Sequence, residues 1–275
     1  MAMGLIEANG ATLYYERRGS GPTVLFISGA TGDAGHWTEV GHILADEDTV
    51  VTYDRRANSR SPRPPGWDST TIDEQADDAA ALLTGLHLAP AVVFGTSAGT
   101  AILANLCLRH PELLSGAVFH EPYFQSGVSH PDLVRAWRRA LIEKGMAMGG
   151  PSATTELLLR SVAGDETYER MDAQLRERLL SNGDVFFDIE MATFLSYEPT
   201  PKELETIQIP CAVTAGADNN RDESVPNHWR YEAAQWLAAH LHTTVVELPG
   251  GHMPYLGQPH AFAEALQQLL HSLGN

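Results

Sequence analysis

Short apolar runs alternate with longer amphipathic segments over the first 121 residues of the chain. Buried strands are predicted where branched and aromatic apolar residues cluster, at residues 12–16, 23–28, 49–54, 91–94 and 116–120. Helices are predicted between them at residues 38–45, 71–88 and 98–109. Strands separated by helices of this length indicate a mostly parallel sheet covered on both faces, so the pattern predicts an α/β fold.

The strand pattern stops between about residues 122 and 200, where apolar positions recur at helical spacing. Helices are predicted from residue 131 onwards and at residues 153–162, 166–180 and 185–197. Ser129 and Asp132, with Pro131 between them, predict a capping box at the start of the first of these helices. Strands return at residues 209–215 and 244–248, and helices at 227–240 and 260–273. The sequence therefore predicts a core from residues 1–121 and 201–275, with residues 122–200 inserted as a helical cap.

One long stretch, residues 79–108, contains no Asp, Glu, Lys or Arg. Its length alone would allow a membrane span. Turn-forming and polar residues interrupt its middle, namely Pro90, Gly95, Thr96, Ser97, Gly99 and Thr100. We interpret the stretch as the end of a helix, a buried strand and a second helix, and we expect no membrane partner.

Composition narrows the range of partners and compartments. Acidic residues outnumber basic residues by 35 to 18, and the net charge of −17 argues against nucleic acids and anionic membrane surfaces. Cys107 and Cys211 both lie in apolar runs, which is typical of buried free thiols in a reducing compartment. With no secretion signal visible at the N-terminus, we expect a cytoplasmic location. The oligomeric state stays open.

The charge-free stretch, residues 79–108, contains a motif that indicates a catalytic serine. Gly95-Thr96-Ser97-Ala98-Gly99 fits the pattern G-x-S-x-G, which occurs once in the chain. A predicted strand leads into the motif and a predicted helix follows it, which is the context that exposes a serine hydroxyl on a sharp bend. The two glycines allow neighbouring backbones to pass closely. We therefore predict that Ser97 is a nucleophile.

A serine hydroxyl needs a base and the base needs an orienting carboxylate. His252 is the candidate base, because it lies in a glycine loop directly after the last predicted strand. Two carboxylates follow predicted strands, Glu121 and Asp218, and spacing leaves both open as the third member. Histidine and cysteine spacings suggest no metal site, and we expect no metal or cofactor.

Taken together, these residues resemble the α/β-hydrolase family across nearly the whole chain. Residues 28–32 lie where that family has its oxyanion loop, residues 54–61 resemble its D-x-R-G-x-G-x-S segment, and residues 251–262 resemble its C-terminal histidine loop and helix. The resemblance implies a mostly parallel sheet with an inserted lid. It also implies that the Ala30 and Ala98 N–H groups stabilise an oxyanion, with Gly29 allowing close approach.

The resemblance also bears on the choice of acid. The family's usual Asp position, counted from Gly216, holds Asn219, whereas Asp218 lies one residue early. A Glu after the strand that follows the nucleophile is similar to the arrangement in zearalenone-type lactone hydrolases, so Glu121 is favoured over Asp218. Trp37 and an Asp54–Arg56 pair are predicted to have structural roles.

The resulting expectation is a serine hydrolase that cleaves a carboxylic ester or lactone of a small apolar substrate through an acyl-enzyme. The triad would be Ser97, His252 and Glu121, with Asp218 as the alternative acid. A cofactor-free oxygenase, lyase or C–C bond hydrolase on the same fold is an alternative, as is a ligand receptor. Turnover of an activated ketone but not of esters would favour the first alternative, and saturable binding without product release the second.

Overall fold

A computed structural model of the chain describes residues 1–220 and 228–273. Within these residues, eight strands form one sheet in the order β1-β2-β4-β3-β5-β6-β7-β8. The strands are β1 (Ala2–Ala8), β2 (Ala11–Arg18), β3 (Thr23–Ile27), β4 (Thr49–Tyr53), β5 (Ala91–Thr96), β6 (Leu114–His120), β7 (Cys211–Gly216) and β8 (Val245–Leu248). Strands β3 to β8 pair in parallel, and β1 and β2 form an antiparallel edge.

Helices connect the parallel strands and fill both sides of the sheet. The helices of the core are α1 (Thr38–Leu44), α2 (Ile72–Gly85), α3 (Gly99–Arg109), α9 (Ala217–Asn220), α10 (His228–His240), α11 (Pro254–Gly257) and α12 (Pro259–Leu273). Between β6 and β7 lie α4 (Pro131–Ala163), α5 (Asp165–Arg170), α6 (Ala173–Val185), a π-helical segment (Phe186–Glu190), α7 (Met191–Ser196) and α8 (Pro201–Leu204). We call residues 122–200 the cap.

Alternation along the strands separates two hydrophobic cores. In β3, Leu25 and Ile27 join α2, α3 and α10 on one face of the sheet, whereas Val24 and Phe26 join α1 and α12 on the other. This period of two, with both faces buried, is what a central parallel strand requires. The expected α/β fold, a mostly parallel sheet flanked by helices, is therefore confirmed.

Strand order reverses between β3 and β5, because β4 lies on one side of β3 and β5 on the other. Open parallel sheets bind ligands outside the carboxyl ends of their strands at such a reversal. The loop after β3 and the turn after β5 both begin there. Sheet topology thus brings the expected oxyanion loop next to the expected nucleophile.

One strand of the core differs from the predicted elements, whereas the charge-free stretch has the predicted structure. Strand β1 was not predicted, because it is the outer edge of the sheet and alternates between exposed and partly buried residues instead of forming an apolar run. The charge-free stretch, residues 79–108, forms the end of α2, strand β5 and most of α3. Among the described residues, no helix combines the length and the apolar character that crossing a membrane requires.

Two predictions for the cap were wrong in detail, and a third was confirmed. The expected capping box is not formed, because both the N–H and the hydroxyl of Ser129 bond to the Glu232 carboxylate of α10. The helix predicted over residues 166–180 is two helices, and Asp172 caps the second of them at the Leu175 N–H. The separation between the first cap helix and the helix predicted at 153–162 is confirmed, because α4 is interrupted by non-helical backbone at Gly149 and at Gly150, where φ is +78°.

Candidate active site

Ser97 lies at a sharp turn between β5 and α3. Its φ is +52°, which is a left-handed conformation that a residue with a Cβ rarely adopts. A Cβ on Gly95 would lie 2.9 Å from the Gly99 carbonyl oxygen, and one on Gly99 would lie 2.6 Å from the Ile27 carbonyl oxygen. Both positions therefore exclude a side chain, and the two glycines of the motif are needed for the turn that presents Ser97.

The loop after β3 approaches Ser97 through Gly29. A Cβ on Gly29 would lie 2.9 Å from the Ser97 Cβ and 3.5 Å from the Ala98 nitrogen. Ala30 and Ala98 line the same cavity as Ser97. Within residues 1–220 and 228–273, neither the Ala30 nor the Ala98 N–H has a backbone acceptor. The two N–H groups are thus available to an oxyanion formed at Ser97.

His252 follows β8 and is paired with Glu121, which follows β6. Nδ1 of His252 lies 2.5 Å from Oε2 of Glu121, and both side chains are buried. An ionised carboxylate only accepts hydrogen bonds, so the Nδ1–H donates and Nε2 is left for another partner. His252 lines the cavity that contains Ser97. His252 is therefore in direct contact with Glu121 and lines the same cavity as Ser97.

The Glu121 carboxylate is held by the turn after β7. Its Oε1 accepts hydrogen bonds from the Gly216 N–H at 2.8 Å and from Nδ2 of Asn219 at 2.5 Å. The backbone of Glu121 has φ +47°, and its N–H donates to the Thr214 carbonyl at 2.9 Å. A carboxylate fixed by this many donors is held in one orientation toward His252.

Asp218, the alternative acid, lies in the short helix α9 directly after β7. Its side chain is exposed, whereas the neighbouring Asn219 is buried and bonds to Glu121. The Nδ1 of His252 faces Glu121 at hydrogen-bonding distance. The turn after β7 therefore directs Asn219, and not Asp218, toward the carboxylate that contacts the histidine.

Burial and neighbouring charges set the protonation states of the pair. Burial and the positive charge of Arg230 lower the pKa of His252 to about 4, although Glu121 acts in the opposite direction. Burial alone would raise the pKa of Glu121, but the hydrogen bond and charge of His252 outweigh it and lower that pKa to about 2. At neutral pH the histidine is therefore neutral and the glutamate ionised.

The cavity around Ser97 is apolar and is built largely by the cap. Cap residues that line it include Trp137, Leu141, Ile142, Leu158, Leu159, Val162, Phe186, Phe187, Met191, Phe194 and Leu195. Two cations, Arg138 and Arg230, also line it, and Arg138 lies 5.1 Å above the Tyr123 ring. In the part of the chain that the structure describes, no Asp or Glu side chain lines this cavity.

Trp37, which the sequence assigned a structural role, supports the oxyanion loop. Its ring is fully buried and packs 4.6 Å from Phe26 and 4.3 Å from Tyr255. Nε1 of Trp37 donates to the Ser28 hydroxyl at 2.8 Å. Trp37 thus holds the start of the loop from beneath.

The expected pairing of Asp54 with Arg56 was wrong. Asp54 bonds to Arg60 at 2.7 Å, and Arg56 bonds to Asp78 at 2.6 Å. The residue between them, Arg55, was not singled out from the sequence. It is buried, contacts the oxyanion loop and pairs with Glu190 of the cap, 135 positions away along the chain. Local spacing carried no signal for that contact.

Comparisons with known proteins agree with the observed fold. A family described as alpha/beta hydrolase fold matches residues 22–259. An uncharacterised hydrolase, YraK, of Bacillus subtilis strain 168 is 34% identical over 97% of this chain and 95% of its own length. A zearalenone hydrolase of Bionectria ochroleuca is 27% identical over 93% of this chain and 92% of its own.

Solved structures show the same fold at lower sequence identity. An esterase from Thermogutta terrifontis superimposes with a TM-score of 0.78 at 21% identity, covering 100% of both chains. An enol-lactonase from Burkholderia xenovorans LB400 superimposes with a TM-score of 0.76 at 18% identity, covering 98% of this chain and 100% of its own. The fold of the chain is thus shared with both structures.

Proposed function

The chain belongs to the alpha/beta hydrolase fold family, and we propose that it is a serine hydrolase that cleaves a carboxylic ester or lactone of a small apolar substrate. One observation carries the proposal. Ser97, on a left-handed turn, lines the same apolar cavity as His252, whose Nδ1 is hydrogen-bonded to the buried Glu121. A nucleophile, a neutral base and an orienting carboxylate are the parts that acyl transfer needs.

In the proposed acylation step, the Ser97 hydroxyl attacks the substrate carbonyl carbon while Nε2 of His252 takes its proton. The negative charge that develops on the carbonyl oxygen is stabilised by the N–H groups of Ala30 and Ala98. The C–O bond to the leaving group then breaks, and the imidazolium returns its proton to the leaving alkoxide. Glu121 stabilises the imidazolium while it carries this charge.

Deacylation repeats these steps with water as the nucleophile. His252 takes a proton from water, the resulting hydroxide attacks the acyl carbon, and the proton returns to Ser97 Oγ as the acid leaves. With a lactone, the leaving hydroxyl stays attached to the acyl chain, so one ring-opened hydroxy acid is released. The same residues therefore serve open-chain esters and lactones.

The class of substrate follows from the walls of the cavity. Leu, Ile, Val, Phe and Met side chains from the cap form most of them, which favours an apolar acyl or ring portion. Two relatives are named zearalenone hydrolase, and superimposed structures include an enol-lactonase and an N-acyl homoserine lactone degrading enzyme. We therefore include lactones in the proposal, and assign residues 122–200 the role of a lid over the site.

The proposal is tested with a panel of p-nitrophenyl esters and lactones on the wild type and Ser97→Ala. We expect wild-type hydrolysis that Ser97→Ala lowers by at least about 10³-fold, because the acyl-enzyme cannot form. Mass spectrometry of the wild type with a slow ester should show the acyl adduct on Ser97. Equal activity of Ser97→Ala and wild type would contradict the proposal.

A second pair of variants tests the choice of acid. We expect Glu121→Gln to lower kcat by about 10³–10⁴-fold, because the neutral amide neither fixes the tautomer of His252 nor stabilises its protonated form. Asp218→Asn is the matched control, since it makes the same change of charge at an exposed side chain. A larger loss in Asp218→Asn than in Glu121→Gln would identify Asp218 as the acid.

A further inference from the structure

Arg55 contacts the oxyanion loop from beneath. It follows β4, and its side chain is fully buried. Nη1 of Arg55 donates to two successive carbonyl oxygens of the loop, that of Ser28 at 2.9 Å and that of Gly29 at 2.6 Å. The guanidinium is therefore bonded directly to the backbone that carries the proposed oxyanion donor.

The contact with the Gly29 carbonyl fixes the direction of the Ala30 N–H. The Gly29 carbonyl and the Ala30 N–H belong to the same peptide unit, which is planar and trans, so the two groups point in opposite directions. With the oxygen held by Arg55, the N–H points away from Arg55, on the side of the loop where Ala30 lines the cavity with Ser97. The same oxygen accepts a longer hydrogen bond from the Gly32 N–H at 3.3 Å, and the contact with Arg55 at 2.6 Å adds to it in holding a peptide that Gly29 would otherwise allow to rotate.

The second terminal nitrogen of the Arg55 guanidinium is bonded to the cap. Nη2 donates to Oε2 of Glu190 at 2.8 Å, and neither side chain of this ion pair is exposed. Oε1 of Glu190 accepts from Asn58 at 3.1 Å and from Gln75 at 3.4 Å. Glu190 ends the π-helical segment whose Phe186 and Phe187 line the cavity.

We propose that Arg55 and Glu190 form a positioning pair through which the cap sets the oxyanion hole. Glu190 orients the Arg55 guanidinium, and Arg55 holds the Gly29–Ala30 peptide with its N–H toward the nucleophile. Neither side chain touches the substrate. This inference rests on the proposed serine hydrolase activity, and it adds that the cap contributes to the chemical step as well as to substrate binding.

The charges of Arg55 and Glu190 predict what a substitution of either residue would do. A buried guanidinium that loses its carboxylate keeps its charge without compensation, so it reorients toward other acceptors or water. Glu190→Gln keeps the shape of the side chain but removes that charge. Arg55→Lys keeps the positive charge but has one nitrogen, which does not reproduce the planar fork that bonds the loop and Glu190 together.

The test measures transition-state stabilisation directly. Wild type, Glu190→Gln and Arg55→Lys are assayed with an aryl ester and inhibited by a trifluoromethyl ketone, whose adduct with serine carries an oxyanion. We expect kcat to fall by about 10- to 100-fold in both variants and KM to change less than about threefold, since a misdirected donor loses part of its contribution. Affinity for the trifluoromethyl ketone falls by the same factor as kcat/KM, whereas affinity for the corresponding secondary alcohol is unchanged.

A neighbouring ion pair supplies the matched control. Arg56 and Asp78 form a buried guanidinium–carboxylate pair at 2.6 Å, one position along the chain, and Arg56 bonds to Asn9 and not to the oxyanion loop. Asp78→Asn therefore imposes a comparable loss of buried charge. We expect it to lower the melting temperature but to leave the affinity for the trifluoromethyl ketone at the wild-type value.

Hydrogen exchange provides a readout that does not depend on activity. Backbone amides of residues 29–35 should exchange faster in Glu190→Gln and Arg55→Lys than in the wild type, and at the wild-type rate in Asp78→Asn. Absence of wild-type ester or lactone hydrolysis would refute the proposed function alone, and the exchange rates would still test the positioning pair. Wild-type kcat, ketone affinity and exchange in Glu190→Gln would overturn this inference even in an active hydrolase.

Discussion

The side chain at position 219 decides what the turn after β7 contributes to the site. In the usual arrangement of the family, this position supplies the acid of the triad. Here its amide donates to Glu121, together with the Gly216 N–H of the same turn. The carboxylate comes instead from the end of β6 and reaches His252 from there. The turn after β7 thus holds the carboxylate that contacts His252 and does not itself provide it.

The low pKa of His252 predicts the pH dependence of the proposed activity. Only neutral His252 accepts the Ser97 proton, so kcat/KM should be constant around neutral pH and fall to half near pH 4, the value to which burial and Arg230 lower the pKa. The measurement is kcat/KM for an aryl ester against pH, with the fold followed by circular dichroism. An acidic limb centred between pH 6 and 7 would contradict this assignment.

Stability should fall over the same acidic range. The pKa of His252 is about 4 in the folded protein against 6.5 for a free side chain, so the unfolded chain binds the proton first and stability falls as pH drops below 6.5. Glu121, with a folded pKa of about 2 against 4.5, stabilises the fold above pH 4.5 and loses this effect as pH approaches 2. The loss of activity near pH 4 should therefore be measured within minutes of the change in pH, before the protein unfolds. Recovery of activity on return to neutral pH shows that the loss came from protonation.

Residues of the site differ in how far the sequence identifies them. Ser97 and His252 each follow a predicted strand and have glycines close to them in the sequence. Such short-range patterns can be recognised without knowledge of the tertiary structure. Arg55 and Glu190 meet across 135 positions, and Glu190 is one acidic residue among 35 Asp and Glu. Their contact depends on how the cap packs on the core, which no local pattern encodes.

Among the elements, the cap is joined to the oxyanion loop at more than one point. Asn182 of α6 donates from Nδ2 to the Thr31 carbonyl at 2.8 Å and accepts from the Ser59 N–H at 2.6 Å. Arg178, one turn earlier, lies 2.5 Å from the Asp33 carboxylate. Helix α6 therefore holds the far side of the loop, whereas Glu190 acts through Arg55 on its near side.

Removing the Asn182 amide should affect both the fold and the proposed activity. We expect Asn182→Ala to lower the free energy of unfolding by about 1–3 kcal/mol, because it leaves buried backbone groups without partners. It should also lower kcat several-fold, since the loop loses a contact. The measurements are urea denaturation and aryl ester kinetics.

Asn105→Ala is the matched control for this variant. Asn105 is a buried amide of α3 that bonds to Asp73 at 2.8 Å. Its loss should destabilise the fold to a comparable extent without lowering kcat. Equal kcat values in the two variants would show that α6 acts on stability alone.

The elements also show where sequence patterns suffice. Central strands such as β5 are buried on both faces, and their apolar runs predicted them to within a few residues. In the cap, Ser129 satisfies its polar groups at Glu232 of α10 instead of capping its own helix, and a capping residue, Asp172, divides a predicted helix. Cap structure depends on tertiary contacts that compete with local preferences.

At the scale of the whole molecule, a strongly acidic chain surrounds an apolar cavity. The net charge is −17, yet Arg138 and Arg230 are the charged residues that line the cavity within the described residues. The net charge of the chain and the charged side chains on the cavity wall therefore have opposite signs. A neutral ester or lactone is neither repelled by the net negative charge nor attracted by the two arginines through a charge of its own. This is consistent with the substrate class proposed above.

The dependence of kcat/KM on ionic strength should separate the effect of the net negative charge from that of the two cavity arginines. For a neutral aryl ester, kcat/KM should stay constant as salt rises from about 10 mM to about 150 mM, whereas for an analogue of equal size carrying a carboxylate it should rise a few-fold. Over this range the Debye length falls from about 30 Å to about 8 Å, which screens the repulsion by the net negative charge but leaves contacts within the cavity intact. A cationic analogue is the control, and its kcat/KM should fall over the same range. If kcat/KM for the anionic analogue falls with salt instead, attraction by Arg138 and Arg230 dominates the approach, and the site would favour anionic esters.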